Sequence, residues 1–348
     1  MPLIYEKFSN INISDPIFDS LKRDYAEFEH WFTKKASERA YVFFNEAGLD
    51  GFLYLKMEVG PVNDVNPPLP AATRVKVGTM KINAHGTRLG ERFLKKIFDH
   101  AVTQRAAEIY VTVFAKHGAL VSLFERYGFR QRATKITANG TELVLVKSML
   151  DAGGSILERY PLVKLSGHSI YLLSLYPKWH TRLLPDSILK NEDASIVQDT
   201  SHTNSIHKVY LSAMRGLERV RPGDVILIYR TSDRTGGARF RSVATSICVL
   251  EGYRDIRSFS SWEDFAQYCS IYSVFNQTEL RDFWNTKRYP HVLRFTYNFA
   301  LPRRITRGTM INEMGFREDR YWGFMDMSKE QFQSVITAGS LNESLVIC

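Results

Sequence analysis

Residues 74–129 constrain the fold more tightly than any other part of the chain. Arg74–Asn83 (RVKVGTMKIN) alternates Val75, Val77 and Thr79 with charged or small residues, the pattern of a half-buried strand. It runs into Ala84-His85-Gly86-Thr87-Arg88-Leu89-Gly90, a glycine-bearing turn. Beyond the turn Leu89, Phe93, Leu94, Ile97, Phe98 and Ala101 fall on one stripe at helical spacing. Glu108–Ala115 (EIYVTVFA) reads as the next strand. Leu120, Val121, Leu123, Phe124 and Tyr127 stripe a short helix, and Gly128 before Phe129 is placed as its left-handed cap. Thr141–Lys147 (TELVLVK) closes the block as a final strand. A turn with Gly86 and Gly90 that opens a helix leaves backbone N–H groups pointing outward, backed by the positive end of the helix dipole. Such a turn can hold a pyrophosphate.

The approach to this block is consistent with it. Asp15-Pro16 is a cap and first-turn pair, and Ile17, Leu21, Tyr25, Phe28 and Phe32 run down one face, which predicts one long first helix. Tyr41–Asn45 and Gly51–Glu58 read as strands of a hairpin around residues 46–50. Gly60–Ala72, with four prolines, reads as an irregular loop placed to cover an acceptor site or simply to connect.

In its order of elements and its turn, this block resembles the GNAT family of N-acetyltransferases, whose phosphate turn is written (Gln/Arg)-x-x-Gly-x-(Gly/Ala) and whose later helix ends in a Tyr-Glu-x-x-Gly-Phe-like run. The resemblance covers about 150 residues, one domain by size, and implies acetyl-CoA as the acyl donor. It assigns His85 to the leading position, Arg88 to the central glycine and Gly90 to the final one. The cofactor-binding set it implies is Met80, Lys81 and Ile82 on the strand edge, His85, Gly86, Thr87, Arg88, Leu89, Gly90 and Glu91 at the turn, and His117 where the family often has an asparagine. Arg88 in place of glycine needs a negative φ and can add a guanidinium contact to phosphate. Phe124 stands where the family commonly has a proton-donating tyrosine; Tyr127, one turn along, is the nearest substitute, or else it packs beside Gly128. Glu58 is the candidate general base, with Asp64 as an alternative and His85 a third, the last placed better for a phosphate-side role. The resemblance further implies that backbone N–H groups near Val113 and Phe114, where the family's two central strands splay apart, stabilise the oxyanion.

A second domain is expected at 166–348, after a 1–150 acetyl-CoA-binding domain and a 151–165 linker. Ser169–Tyr176 reads as a strand, Asn191–Asn204 as a polar loop and Ile206–Arg219 as carrying a short amphipathic helix. Pro222-Gly223 makes a turn before a strand at Val225–Tyr229; Arg241–Leu250 and His291–Phe299 are further strands, with helices around Ser261–Tyr272 and Thr278–Asn285 between them. The run Pro-Gly-Asp-Val-Ile-Leu-Ile-Tyr-Arg-Thr resembles the PUA-like superfamily, including its ASCH and EVE branches, and implies a β barrel with helical insertions that binds RNA or a nucleobase. On that resemblance the contact residues are Trp179, Tyr229, Arg230, Thr231, Arg239 and Arg241, aromatic faces for bases and guanidinium groups for phosphate.

The fold class expected is therefore α/β (α+β) with two domains, which 348 residues at 44% hydrophobic composition can supply. Three cysteines, Cys248, Cys269 and Cys348, show neither disulfide nor zinc spacing, so no metal is expected and a reducing cytoplasm is. No basic start with an apolar run and no long apolar window suggests a leader or a membrane span. The net charge of +9 favours polyanionic partners, and 19 of the 25 basic residues after position 150 are arginines, the better phosphate fork. The function expected is acetyl-CoA-dependent N-acetyl transfer to an acceptor presented by the second domain: RNA (a tRNA or other structured RNA), an RNA-bound amine, or a protein amine. The competing expectation is a non-catalytic acyl-CoA sensor that binds RNA, and oligomeric state is left open.

Overall fold

The computed structural model describes residues 3–46, 48–83, 89–184, 187, 205–233 and 236–347. The chain divides into two compact units, Met1–Arg159 and Tyr160–Cys348, and the fold is mixed α/β in both.

Unit 1 runs β1 (Ile4–Lys7), α1 (Asp19–Asp24), α2 (Phe28–Lys34), β2 (Arg39–Asn45), β3 (Gly48–Val62), β4 (Leu69–Ile82), α3 (Leu89–Thr103), β5 (Glu108–Phe114), α4 (Gly118–Arg126), β6 (Arg130–Thr137), β7 (Gly140–Ser148) and α5 (Ile156–Arg159). The strands form one sheet in the order β1-β2-β3-β4-β5-β7-β6, antiparallel throughout except for the parallel pair β4 and β5. The stripe expected of α3 is buried as a unit: Leu89, Phe93, Leu94, Ile97, Phe98 and Ala101 are all fully covered. A second aromatic core, built on Phe8, Phe18, Phe28, Phe32 and Phe52, anchors α1 and α2, each ring contributing about 1.5–3 kcal/mol of burial. Gly128 takes φ +82°, and a Cβ there would sit 2.2 Å from the Glu158 carbonyl oxygen, so the cap position admits only glycine.

Three expectations for this half are corrected. The long first helix is broken: Asp15 caps a 3-10 turn at Pro16–Phe18, α1 ends at Asp24, and Tyr25 is extended (φ −135°, ψ 102°) before α2 begins. The proline-rich loop is mostly strand, because β3 continues to Val62 and β4 starts at Leu69, which leaves only residues 63–68 as the connection. β6 was not expected, since only Ala133 of that strand is buried and the remaining residues carry no alternation.

Unit 2 runs β8 (Val163–Lys164), β9 (Ile170–Leu175), α6 (Pro177–Leu183), β10 (His207–Ser212), β11 (Val225–Arg230), α7 (Ala238–Arg241), β12 (Val243–Asp255), α8 (Trp262–Ser270), α9 (Gln277–Thr286), β13 (His291–Thr306), α10 (Arg307–Glu313), β14 (Phe324–Asp326), α11 (Lys329–Ala338) and β15 (Val346–Ile347). Six strands form one sheet, β10-β13-β12-β11-β9-β14, with three register shifts between β12 and β13, the kind of irregularity that increases strand twist. The amphipathic helix expected within 206–219 is instead β10, buried on both faces; Ile206, Val209, Tyr210 and Ala213 imitate a helical stripe. Residues 160–165, expected as linker, are packed: Tyr160 is fully buried and donates to the Tyr297 carbonyl at 2.9 Å, and β8 pairs with β15. The polar loop expected at Asn191–Asn204 lies outside the described residues.

Candidate active site

β4 and β5 pair only from Arg74↔Glu108 to Val77↔Val111. Beyond that point β4 stays bonded to β3, and β5 to β7, but among the described residues no ladder joins β4 to β5. The two central strands therefore part, and a cleft of about 860 Å³ opens between Gly78–Ile82 on one side and Thr112–Val113 on the other. The first residues of α3 and α4 (Leu89, Gly90, Gly118) border it, with Leu120 and Leu123. Gly90 is where the two helices come close, since a Cβ on it would lie 2.8 Å from Leu123 Cδ2.

The parting is braced at its closed end by Arg74, which is 1% exposed. Its Nε donates to Glu108 at 2.6 Å, Nη1 to the Gly60 carbonyl at 2.9 Å and Nη2 to the Pro70 carbonyl at 2.6 Å, so one guanidinium ties β3, β4 and β5.

Part of the cleft lining is polar. Glu58 accepts from the Tyr110 hydroxyl and from Lys56 at 3.1 Å, with Lys76 at 4.0 Å. Burial works against its charge, yet the Tyr110 hydrogen bond and the two lysines prevail and hold its pKa below the ordinary value. Burial pulls Lys76 down. Tyr25, freed from the helix by the break after Asp24, projects into the cleft and donates to Glu142 at 2.6 Å, while its ring packs on Phe114 at 5.2 Å. Burial first and the Glu142 carboxylate second push the Tyr25 phenol well above its usual range. Glu142 is 3% exposed and also lines the cleft. Next to this pair Asp24 holds Lys116 at 2.6 Å and His117 at 2.9 Å; these hydrogen bonds outweigh burial and keep its carboxyl below the usual range.

The expected site residues divide accordingly. Met80, Lys81, Ile82, Leu89, Gly90, His117 and Glu58 are gathered at the cleft. Glu91 is buried beside Arg126 at 3.7 Å and is not part of the lining. Tyr127 is fully buried against Phe98, ring centroids 6.2 Å apart, and Phe124 against Phe129 at 4.8 Å, so α4 offers no tyrosine to the cleft. Asp64 pairs with Lys135 at 2.6 Å and likewise lies outside the lining. His85, Gly86, Thr87 and Arg88 lie outside the described residues. The Tyr25–Glu142 pair was not among the expectations; it joins residues 117 positions apart and leaves no local pattern.

In unit 2 the residues expected to contact nucleic acid divide by burial. Tyr229 and Arg230 are buried, 2% and 4% exposed, with Tyr229 packed on Trp322 at 5.3 Å. Thr231 is tied through both its N–H and its hydroxyl to the Leu175 carbonyl. Arg239 is held by Glu318 at 2.9 Å and Asn312 at 2.6 Å, and Arg241 by both oxygens of Asp233 at 2.6 Å. Trp179 packs edge-on against Phe275 at 4.7 Å, with Lys178 over its ring. Tyr229 and Arg230 are thus taken into the core, whereas the Arg239 and Arg241 side chains stay 36% and 38% exposed beside their carboxylate partners. Among the described residues no cluster of three His, Cys, Asp or Glu could hold a metal, and no helix is long and apolar enough to cross a membrane.

No protein-family model and no curated protein matches the sequence. Solved structures with a partial likeness include Naa20 of Chaetomium thermophilum in complex with a bisubstrate analogue (14% identity, 43% of this chain and 87% of that one, TM-score 0.33). Others are the ASCH protein of Zymomonas mobilis (12%, 49% and 94%, TM-score 0.30) and FeeM, an N-acyl amino acid synthase from uncultured soil microbes (12%, 35% and 78%, TM-score 0.28). These likenesses are too partial to carry the functional reading.

Proposed function

We propose that unit 1 is an acyl-CoA-dependent N-acyltransferase, with acetyl-CoA as the donor. The observation that carries this reading is the parting of β4 from β5 beyond Val77 and Val111, beside the first turn of α3. The edge of β4 from Gly78 to Ile82 suits an extended chain of amides such as pantetheine, which can add to a strand as a further strand does. The N-terminal end of α3, described from Leu89, lies beside the cleft, where the dipole of a helix favours a pyrophosphate. When bound, the donor would supply a thioester carbonyl to the acceptor.

The residues of the chain hold the acceptor amine near the parting, exclude water with Leu120, Leu123 and Trp31, and surround the amine with carboxylates. Glu58 remains in reach of the cleft, although its lowered pKa and two lysine neighbours make it a weak proton acceptor. For the acceptor the reading extends to an amine; of the arginines expected to present RNA, Arg239 and Arg241 are partly exposed and ion-paired, and Arg230 is buried.

One observation favours a second reading. With Phe124 and Tyr127 both buried, α4 provides no proton donor, which fits a unit that binds acyl-CoA without turning it over. Incubation of the full chain with radiolabelled acetyl-CoA and three acceptor pools separates the two readings: free amino acids, a tryptic digest of total protein, and total cellular RNA. Enzyme-dependent label in any pool supports transfer, and tight binding with label in none supports the sensor.

A further inference from the structure

The break between α1 and α2 has a chemical counterpart. A continuous helix through Tyr25 would keep its hydrogen-bond ladder intact; instead the chain turns extended at this one residue and carries the phenol across to Glu142, which sits opposite Phe114 at the end of β5. Both side chains line the cleft, and Glu142 is a carboxylate almost wholly removed from water that accepts from the Tyr25 hydroxyl. We propose that Tyr25 and Glu142 are the catalytic proton-handling pair of this site, in place of the tyrosine that α4 lacks. The proposal rests on the acyl-transfer reading.

The proton balance is complete. An acceptor ammonium carries three hydrogens and the amide product keeps one. Of the two released, one goes to the Glu142 carboxylate and from there to solvent. The other is delivered by the Tyr25 phenol to the departing thiolate, and the phenol is restored by the amine's second proton as the C–N bond forms and the C–S bond breaks. The charged groups around the phenol are Glu142 on β7, Asp24 on α1 and Glu27 before α2, with Lys116 and His117 ahead of α4 held by Asp24. Burial first, and these carboxylates after it, keep the phenol protonated through the working range, as a donor must be.

The test uses the full chain with Tyr25→Phe and Glu142→Gln, both close in shape to the originals, and follows acetyl-CoA binding by calorimetry together with label transfer to the three pools above. The expected result is unchanged binding with transfer lowered about 10²- to 10⁴-fold in each variant. In Glu142→Gln the residual rate should climb roughly tenfold per pH unit as hydroxide replaces the lost base, a change that a merely structural role would not produce. Variants that transfer within about threefold of the original chain overturn the pair while leaving the acyltransferase reading standing. An original chain that binds acetyl-CoA without transfer, or does not bind it, overturns both.

Discussion

Arg74 is the residue whose loss should most disturb the closed end of the cleft. Arg74→Met removes three hydrogen bonds from one buried guanidinium and leaves Glu108 and the carbonyls of Gly60 and Pro70 without that partner. Arg74 is buried while Glu108 is 28% exposed, so the cost comes mainly from three lost charge-assisted hydrogen bonds, about 3–5 kcal/mol together, a large share of the 5–15 kcal/mol that stabilises a typical domain. With a urea dependence of about 2 kcal/mol per molar, the midpoint for unit 1 should fall by about 2 M. Pulse proteolysis across a urea series, following the fragment that contains β4 and β5, reads this unit separately from the other. Arg74→Lys should recover little, because one ammonium cannot span three acceptors on different strands. A midpoint shift below about 0.5 M would refute the bracing role assigned to Arg74.

Other expected outcomes follow from single sites. Gly90→Glu places a carboxylate at the helix start and against Leu123, so acetyl-CoA binding measured by calorimetry should weaken on the order of 10²-fold with the fold intact; normal binding would remove the α3 start from the donor site. Burial lowers Lys147 to about 8 from the ordinary 10.5, so the unfolded chain holds more protons between those values and unit 1 should gain stability as pH rises through that window. Lys147→Met should flatten the gain in denaturation curves taken from pH 8 upward. Burial, with Arg230 and Arg304 nearby, depresses His180 to about 3, and its Nε2 is 2.8 Å from Thr245 Oγ1. Unit 2 should accordingly lose on the order of 2–3 kcal/mol as pH falls from 6.5 to about 4.5, a loss that His180→Gln should reduce.

What the sequence made legible was what local periodicity encodes. The stripe from Leu89 to Ala101 and the Gly128 cap are visible because each arises within a few turns of chain; Met80–Ile82 and Gly90, which line the cleft, come from the family resemblance and not from periodicity. The first helix misled because Ile17, Leu21, Tyr25, Phe28 and Phe32 keep helical spacing across a break; Ile17, Phe28 and Phe32 are buried core positions, but Tyr25 answers to Glu142, a tertiary partner. β10 misled for the opposite reason, since a strand covered on both faces shows no alternation and chance spacing can then look helical. Charges were the least legible. Arg239 and Arg241 look free in sequence, whereas Glu318 and Asp233 reach them through the fold, and nothing local marks Arg74 as a buried brace.

Amide hydrogen exchange of the full chain with and without saturating coenzyme A tests the central claim most directly, because it asks where the ligand sits without needing the acceptor. The account predicts slowed exchange at Gly78–Ile82 of β4, at the first turn of α3 and around His117–Leu120, with unit 2 unchanged. Protection confined to unit 2, or none in these three segments at a concentration that calorimetry shows to be saturating, would contradict it.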